Sequence, residues 1–103
     1  KIRYWYTREG PVGQNFWCDY SAITGSCSNV SGTFVQVNPA RPGADFYLEV
    51  GFTAAAGSIA AGGQSGEIQT RFAKTDWSNY TETGDYSFDA TKTAFADWTA
   101  VTL

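Results

Sequence analysis

The residues with the chemistry of a binding surface lie in residues 71–88, RFAKTDWSNYTETGDYSF, a segment too polar to be core. The overlapping run 67–74 alternates in polarity, which predicts a strand with Gln69 and Arg71 on its solvent face. Trp77 follows among hydrogen-bonding side chains, which is a poor setting for burial. An exposed indole beside an arginine and an amide suits a flat, hydroxyl-rich ligand such as a pyranose, whose C–H face stacks on the ring. The alternative is that Trp77 covers one end of the fold.

A second group of residues has the chemistry of a cation site. Thr7 and Glu9 end the first predicted strand, and Thr81 and Asp85 lie in the turn after Trp77. Carboxylate, hydroxyl and backbone oxygens are the ligands that a hard cation such as Ca²⁺ prefers. Ordinary capping of turns by Asp and Thr explains the same residues without a metal.

The absence of histidine limits the kinds of catalytic site that the chain could form. Ser-His-Asp and Cys-His nucleophile systems are excluded, as are almost all zinc sites, because two cysteines cannot complete a tetrahedral shell. A glycosidase would need a carboxylate pair, and no local pattern among the 10 acidic residues selects one. The net charge of −3 argues against nucleic acid as a partner, and no apolar run approaches the length of a membrane span.

The two cysteines, Cys18 and Cys27, enclose a short loop. In a secreted chain such a pair forms a disulfide, worth about 2–3 kcal/mol by loop closure. In a cytosolic chain the two residues would be free buried thiols. The composition is rich in Ser, Thr, Gly and Asn and low in Lys, which favours an extracellular protein and the disulfide.

Short alternating runs without a sustained helical period predict an all-β antiparallel sandwich, and 103 residues is the length of a single domain. Residues 38–43 contain two prolines and are predicted to form a loop. In the Gly/Ala-rich stretch 54–66 we favour a loop with a brief strand at 58–60 over a short helix at 54–56. Both chain ends fall inside strand-like runs, so we expect a fragment of a larger module. The predicted strands are residues 2–7, 15–19, 32–37, 45–53, 67–74 and 99–103, the last with Val101 and Leu103 facing inward.

Five runs of the chain resemble the family-3 carbohydrate-binding modules of bacterial cellulases and cellulosomal scaffoldins: RYWYTREG, FWCDYSAITGS, ADFYLEVGF, GEIQTRFAKTDWSNYTETGDYSF and FADWTAVTL. The resemblance spans nearly the whole chain in consecutive order. It implies a nine-stranded β-sandwich with jelly-roll topology, a structural calcium, and a flat strip that binds crystalline cellulose. Relative to that family, residues 1–103 would be a single module lacking the first strands and the last one.

The resemblance also implies roles for individual residues. The strip would use Asp19, Arg71 and Trp77, with Tyr20 where the family often has histidine and with Gln69 and Tyr86 as polar anchors. The loop that supplies a further strip aromatic in some members is shortened here at residues 25–27. The calcium ligands would be Thr7, Glu9, Thr81 and Asp85. Glu9 stands where aspartate is common, and Gly84 where asparagine is common.

The function that the resemblance implies is non-catalytic binding of cellulose or a related β-glucan. The module would target an attached enzyme, scaffold or sensor to plant cell-wall polysaccharide, outside a bacterial cell or on its surface. One alternative is an accessory module that packs on a glycoside hydrolase and assists catalysis without binding crystalline cellulose itself. Another is an extracellular polysaccharide-sensing domain.

Overall fold

A computed structural model describes residues 1–103 as six strands and two single-turn 3₁₀ helices. The chain folds into a four-stranded sheet of order β3-β4-β1-β6 and a two-stranded sheet of β2 and β5, with antiparallel pairing throughout. The predicted all-β sandwich is confirmed. The elements are β1 Ile2–Tyr6, β2 Gln14–Ser21, the turn η1 Ser26–Asn29, β3 Val30–Arg41, β4 Ala44–Phe52, the turn η2 Ala54–Ala56, β5 Ile68–Lys74 and β6 Val101–Thr102.

The core lies between the two sheets. Along β4, Phe46, Leu48 and Val50 are buried at every second position, as the period-two pattern predicts. They pack with Tyr6, which is 1% exposed and whose ring centre lies 4.9 Å from that of Phe72 on the opposite sheet. Aromatic contacts therefore join the two sheets, and they position β5 and its outer face.

Gly32 allows the sheets to approach closely. A Cβ atom built at Gly32 would lie 2.2 Å from Cγ of Phe16, whose ring packs on the core from β2. We therefore expect Gly32→Ala to lower the free energy of unfolding by about 1–3 kcal/mol through overpacking. Chemical denaturation measures the change, with Thr33→Ala, at the exposed neighbouring position, as the matched control. Equal stability of the two variants would contradict this packing.

The structure corrects the prediction for residues 38–43. Strand β3 continues through Pro39 to Arg41, and only the next two residues form the turn into β4. The Asn38–Pro39 peptide bond is cis, and Pro39 lies where the pairing of β3 with β4 is interrupted, between Gln36 and Arg41. A proline costs no ladder hydrogen bond at such a break, so the strand accommodates it.

Two further predictions were wrong in detail. No strand forms at residues 58–60, and a 3₁₀ turn at Ala54–Ala56 takes the place of the favoured loop. Leu103 was predicted to face inward, but it is 94% exposed because β6 pairs with β1 only at Val101 and Thr102. Phe52 continues the every-second-residue spacing of Phe46, Leu48 and Val50 at the end of β4, where it is exposed.

Candidate functional site

The outer face of the two-stranded sheet carries the predicted binding residues. Gln69 and Arg71 of β5 are exposed, while Ile68 and Phe72 on the same strand are half-buried toward the core. Thr70, which alternates with Gln69 and Arg71 along the strand, is nevertheless exposed. The antiparallel register places Trp17 of β2 directly opposite Arg71. The sheet therefore aligns polar and aromatic groups on one surface.

A β-bulge at Asp19 places two consecutive residues on this outer face. Cys18 pairs with Thr70 and Tyr20 pairs with Gln69, so Asp19 has no partner on β5. Because a bulge sets two residues against one, the alternation of side chains is interrupted there. Asp19 contacts the outward Arg71, and Tyr20, 47% exposed, follows beside Gln69.

The carboxylate of Asp19 and the guanidinium of Arg71 form an ion pair on this face. Nε of Arg71 lies 3.1 Å from Oδ1 and 2.9 Å from Oδ2 of Asp19. Cζ of Arg71 also lies 4.5 Å from the ring centre of Trp17. An exposed pair of this kind contributes little stability, so its main effect is to hold both polar groups in one orientation.

Trp77 stacks on Trp17. The two indole centres are 5.6 Å apart with an angle of 13° between the ring planes. Trp17 is half-buried, whereas Trp77 is 67% exposed and keeps its other face free. Trp17 was not among the residues predicted from the sequence. Asn15, Trp17 and Asp19 stand at every second position, a pattern that could have placed Trp17 on the same face as Asp19. Its position opposite Arg71, however, depends on the strand register.

The turn that presents Trp77 is held by Asp76. Trp77 has a φ of 63°, an uncommon conformation for a residue with a side chain. Oδ1 of Asp76 accepts hydrogen bonds from the backbone N–H of Ser78 at 2.9 Å and from its hydroxyl at 2.6 Å. The hydroxyl and then the backbone N–H of Ser78 lower the pKa of Asp76 below its ordinary value. The ionised carboxylate thus stabilises the turn.

This pKa shift predicts an effect of acid on the Trp77 turn. Because the folded pKa of Asp76 is depressed, its stabilisation is present above the unfolded pKa and is lost as pH falls through the folded pKa. We expect the indole fluorescence to change over that acidic range. Asp76→Asn keeps an oxygen acceptor without a titrating charge, so it should lack this component, and Asp89→Asn is the matched control with a similar cap on Thr91. A profile unaltered by Asp76→Asn would contradict the assignment.

The two predicted polar anchors, Gln69 and Tyr86, lie on different faces of the molecule. Gln69 lies on the face just described, where its amide donates to the Glu67 carboxylate at 2.6 Å. Tyr86, 52% exposed, lines an open cavity of about 370 Å³ beside Trp5 and Arg41. Trp5 alternates with the buried Tyr6 of β1, so this cavity is on the far face of the four-stranded sheet. The structure brings together Asp19, Tyr20, Gln69, Arg71 and Trp77, and it separates Tyr86 from them.

Around the predicted cation site, Asp85 is 7% exposed. Its Oδ1 accepts hydrogen bonds from the Thr7 backbone N–H at 2.9 Å and from the Thr7 hydroxyl. Glu9 accepts a hydrogen bond from the backbone N–H of Thr81 at 2.9 Å. Lys74, 5% exposed, places its ammonium 3.6 Å from the Glu9 carboxylate and donates to the Glu9 carbonyl at 3.1 Å. The four predicted ligands therefore form two contacting pairs, Thr7 with Asp85 and Glu9 with Thr81, each joining the chain after β1 to the loop after β5.

The electrostatics of Asp85 fit a cation. Burial raises the pKa of Asp85, and the negative charges of Glu9 and Asp45 raise it further. The hydrogen bonds from Thr7 lower it, but they do not cancel the increase. A buried carboxylate near other carboxylates and a hydroxyl oxygen is a donor set suited to a hard cation. No cluster of three acidic, histidine or cysteine side chains is present. Threonine and backbone oxygens would therefore have to complete a coordination shell.

Comparison with known proteins identifies the family. A family model described as cellulose binding domain, CBM_3, matches residues 1–103. The chain belongs to this family. Members of the family are non-catalytic binding modules within larger cellulases and scaffoldins. The resemblance inferred from the sequence is confirmed.

Three relatives show the range of proteins that contain similar domains. Exoglucanase-2 of Thermoclostridium stercorarium is 52% identical over 99% of this chain, which spans 11% of that protein. Anti-sigma-I factor RsgI4 of Acetivibrio thermocellus is 44% identical over 99% of this chain, which spans 19% of that protein. The solved CBM3b domain of the scaffoldin ScaA from Acetivibrio cellulolyticus superimposes with a TM-score of 0.87 at 48% identity, covering 97% of this chain and 63% of that one.

The matched chains are longer than this cellulose binding domain. The chain spans about a tenth of the length of the exoglucanase and under two thirds of the solved scaffoldin domain. No helix of the structure is both long and apolar enough to span a membrane.

Proposed function

We propose that the chain binds cellulose through the outer face of its two-stranded sheet. The binding strip comprises Asp19, Tyr20, Gln69, Arg71 and Trp77. The observation that carries the proposal is the stack of exposed Trp77 on Trp17, next to the Asp19–Arg71 ion pair. A flat aromatic surface flanked by fixed donors and acceptors is complementary to the C–H faces and equatorial hydroxyls of a β-glucan chain.

The mechanism is stacking combined with hydrogen bonding on a preformed surface. Trp17 supports one face of Trp77 and leaves the other free for a sugar ring. The ion pair keeps Asp19 and Arg71 in one orientation before ligand arrives. Because these side chains are already ordered, little conformational entropy is lost on binding.

The test is a set of binding isotherms for the purified protein on microcrystalline cellulose, amorphous cellulose and chitin. Saturable binding to microcrystalline cellulose is the expected result. Its absence on all three solids would refute the proposal. A hydrolysis assay on amorphous cellulose under the same conditions should release no product above background, since the family is non-catalytic.

We also propose that Thr7, Glu9, Thr81 and Asp85 hold a structural Ca²⁺. Buried Asp85 supports this, because burial raises its pKa and a divalent cation would offset the cost of its negative charge. Bound there, calcium would supply positive charge between the chain after β1 and the loop after β5. It would fix the position of that loop without contact with sugar.

The module would serve a larger extracellular bacterial protein, bringing an attached enzyme or scaffold to plant cell-wall polysaccharide. This rests on the likeness to an exoglucanase and a scaffoldin domain. A sensing role is the second candidate, because the chain is also similar to an anti-sigma-I factor. Both roles use the same strip. An accessory role on a glycoside hydrolase, without cellulose binding, agrees less well with the preformed strip.

A further inference from the structure

The Cys18–Cys27 disulfide lies next to the bulge that shapes the binding strip. Cys18 precedes Asp19 directly, and the bond joins it to Cys27 of η1, nine residues along the chain. Both cysteines are half-buried, and the structure contains no free cysteine. The bond predicted from the composition and spacing of the chain is thus present, and its location relates it to the proposed site.

The turn η1 provides an anchor on the other sheet. It leads directly into β3, and its last residue, Asn29, accepts a hydrogen bond from the Thr53 backbone N–H at 3.1 Å after the end of β4. The Asn29 side chain accepts from the Thr53 hydroxyl at 2.7 Å and donates to the Thr24 carbonyl at 2.7 Å. The disulfide therefore joins β2 of the two-stranded sheet to a turn held by the four-stranded sheet.

Apart from the ion pair of Asp19 with Arg71, the bulge is held mainly by short backbone pairing with β5. Asp19 makes no ladder pair, and β2 has a neighbour on one edge only. Beyond the bulge, two residues of β2 pair with β5, Tyr20 with Gln69 and Ser21 with Ile68. One more backbone hydrogen bond, from the N–H of Ala22 to the carbonyl of Glu67 at 2.9 Å, closes this pairing. A covalent link one residue before Asp19 limits the movement that this short pairing permits.

We infer that the Cys18–Cys27 disulfide is a positioning element of the binding strip, which sets the bulge so that Asp19 reaches Arg71 and Tyr20 faces outward. This inference deepens the proposed cellulose binding and rests on it. Reduction by a dithiol converts the bond to two thiols with two electrons and two protons, and the dithiol becomes a cyclic disulfide. The reduced chain keeps every strip residue but holds Asp19 and Tyr20 less firmly, so its affinity for cellulose is lower.

The test compares the wild-type protein, oxidised and treated with dithiothreitol, with the double variant Cys18→Ser/Cys27→Ser. Freeing one or two ordered side chains should weaken binding to microcrystalline cellulose roughly three- to thirtyfold. In an Asp19→Ala/Tyr20→Ala background the same cysteine substitutions should change affinity much less, because the groups that they position are gone. An equal loss in both backgrounds would overturn the inference.

Two controls separate positioning from general stability. Val50→Ala weakens the core without touching the strip, so at a temperature where both proteins remain folded it should retain affinity that the cysteine variant loses. Amide hydrogen exchange at Asp19 and Tyr20 should be faster in the cysteine variant, a result independent of any ligand. Unchanged exchange overturns the inference even if cellulose binds. Failure of the oxidised wild type to bind cellulose refutes the proposed function instead, and leaves the exchange measurement to decide the positioning role.

Discussion

Trp77→Ala should weaken binding to microcrystalline cellulose by about 2 kcal/mol or more, roughly thirtyfold, while changing stability little. Trp77 is 67% exposed and contacts Trp17 with one face, so its removal deletes ligand-facing area and little core packing. Aromatic residues at the centre of a binding surface commonly contribute this much. The measurement is a depletion isotherm on microcrystalline cellulose, with thermal unfolding recorded for the same samples.

Phe95→Ala is the matched control for Trp77→Ala. Phe95 is 100% exposed and lies outside the strip, so its removal deletes a comparable solvent-facing ring. Its affinity should equal that of the wild type. If Trp77→Ala binds as tightly as Phe95→Ala, the strip is assigned to the wrong face, and the far face with Trp5 and Tyr86 becomes the surface to mutate.

Trp17→Ala tests whether Trp17 acts by supporting Trp77 and Arg71, whereas Trp77→Ala tests direct contact with the ligand. Trp17 is half-buried beneath Trp77 and beside Arg71, and it positions both groups. Its loss should lower both affinity and stability, whereas Trp77→Ala lowers affinity alone. The contrast tests the stacked arrangement and not merely the presence of two tryptophans.

Calcium should raise the free energy of unfolding by about 2.7 kcal/mol when its concentration is a hundred times its dissociation constant. Asp85→Asn should abolish this increase, because it removes the buried carboxylate at the centre of the proposed site. The measurement is thermal or chemical unfolding after chelation and after return of CaCl₂. Magnesium at the same concentration should stabilise less, since it demands a tighter octahedral shell.

The matched control for Asp85→Asn is Asp97→Asn, which makes the same charge change at an exposed position. It should retain the full response to calcium. No difference between chelated and calcium-loaded wild type would show that Asp85 and Thr7 simply cap the turn. The ion pair of Glu9 with buried Lys74 would then be the main electrostatic link between β5 and the chain after β1.

The two proposed sites are adjacent in the fold. Lys74 ends β5, bonds the carbonyls of Glu9 and Asn79, and starts the turn that carries Trp77. Asn79 lies two residues after Trp77, and its carbonyl oxygen is 3.3 Å from the ammonium of Lys74. The buried lysine therefore links the segment around Glu9 to the turn of the strip. A cation that orders Glu9 and Asp85 would stabilise one end of the binding surface.

Local patterns in the sequence determined much of this protein. Alternation identified β1, β4 and β5, since a half-buried strand must place apolar residues at every second position. The polar setting of Trp77 predicted its exposure, and the spacing and composition around Cys18 and Cys27 predicted their bond. Each of these features depends on residues near one another in the chain.

Features that depend on pairing between distant segments were decided by the tertiary structure. Asp19 and Tyr20 share a face only because β2 bulges against β5, and Trp17 supports Trp77 only because the register sets it opposite Arg71. Tyr86 lies with Trp5 across the sandwich because a loop without strands carries it there. Register, bulges and loop paths minimise the free energy of the whole fold, so no short stretch of sequence specifies them. The sequence therefore indicated which residue types the proposed strip contains. Their arrangement on one surface follows only from the pairing and packing of the strands.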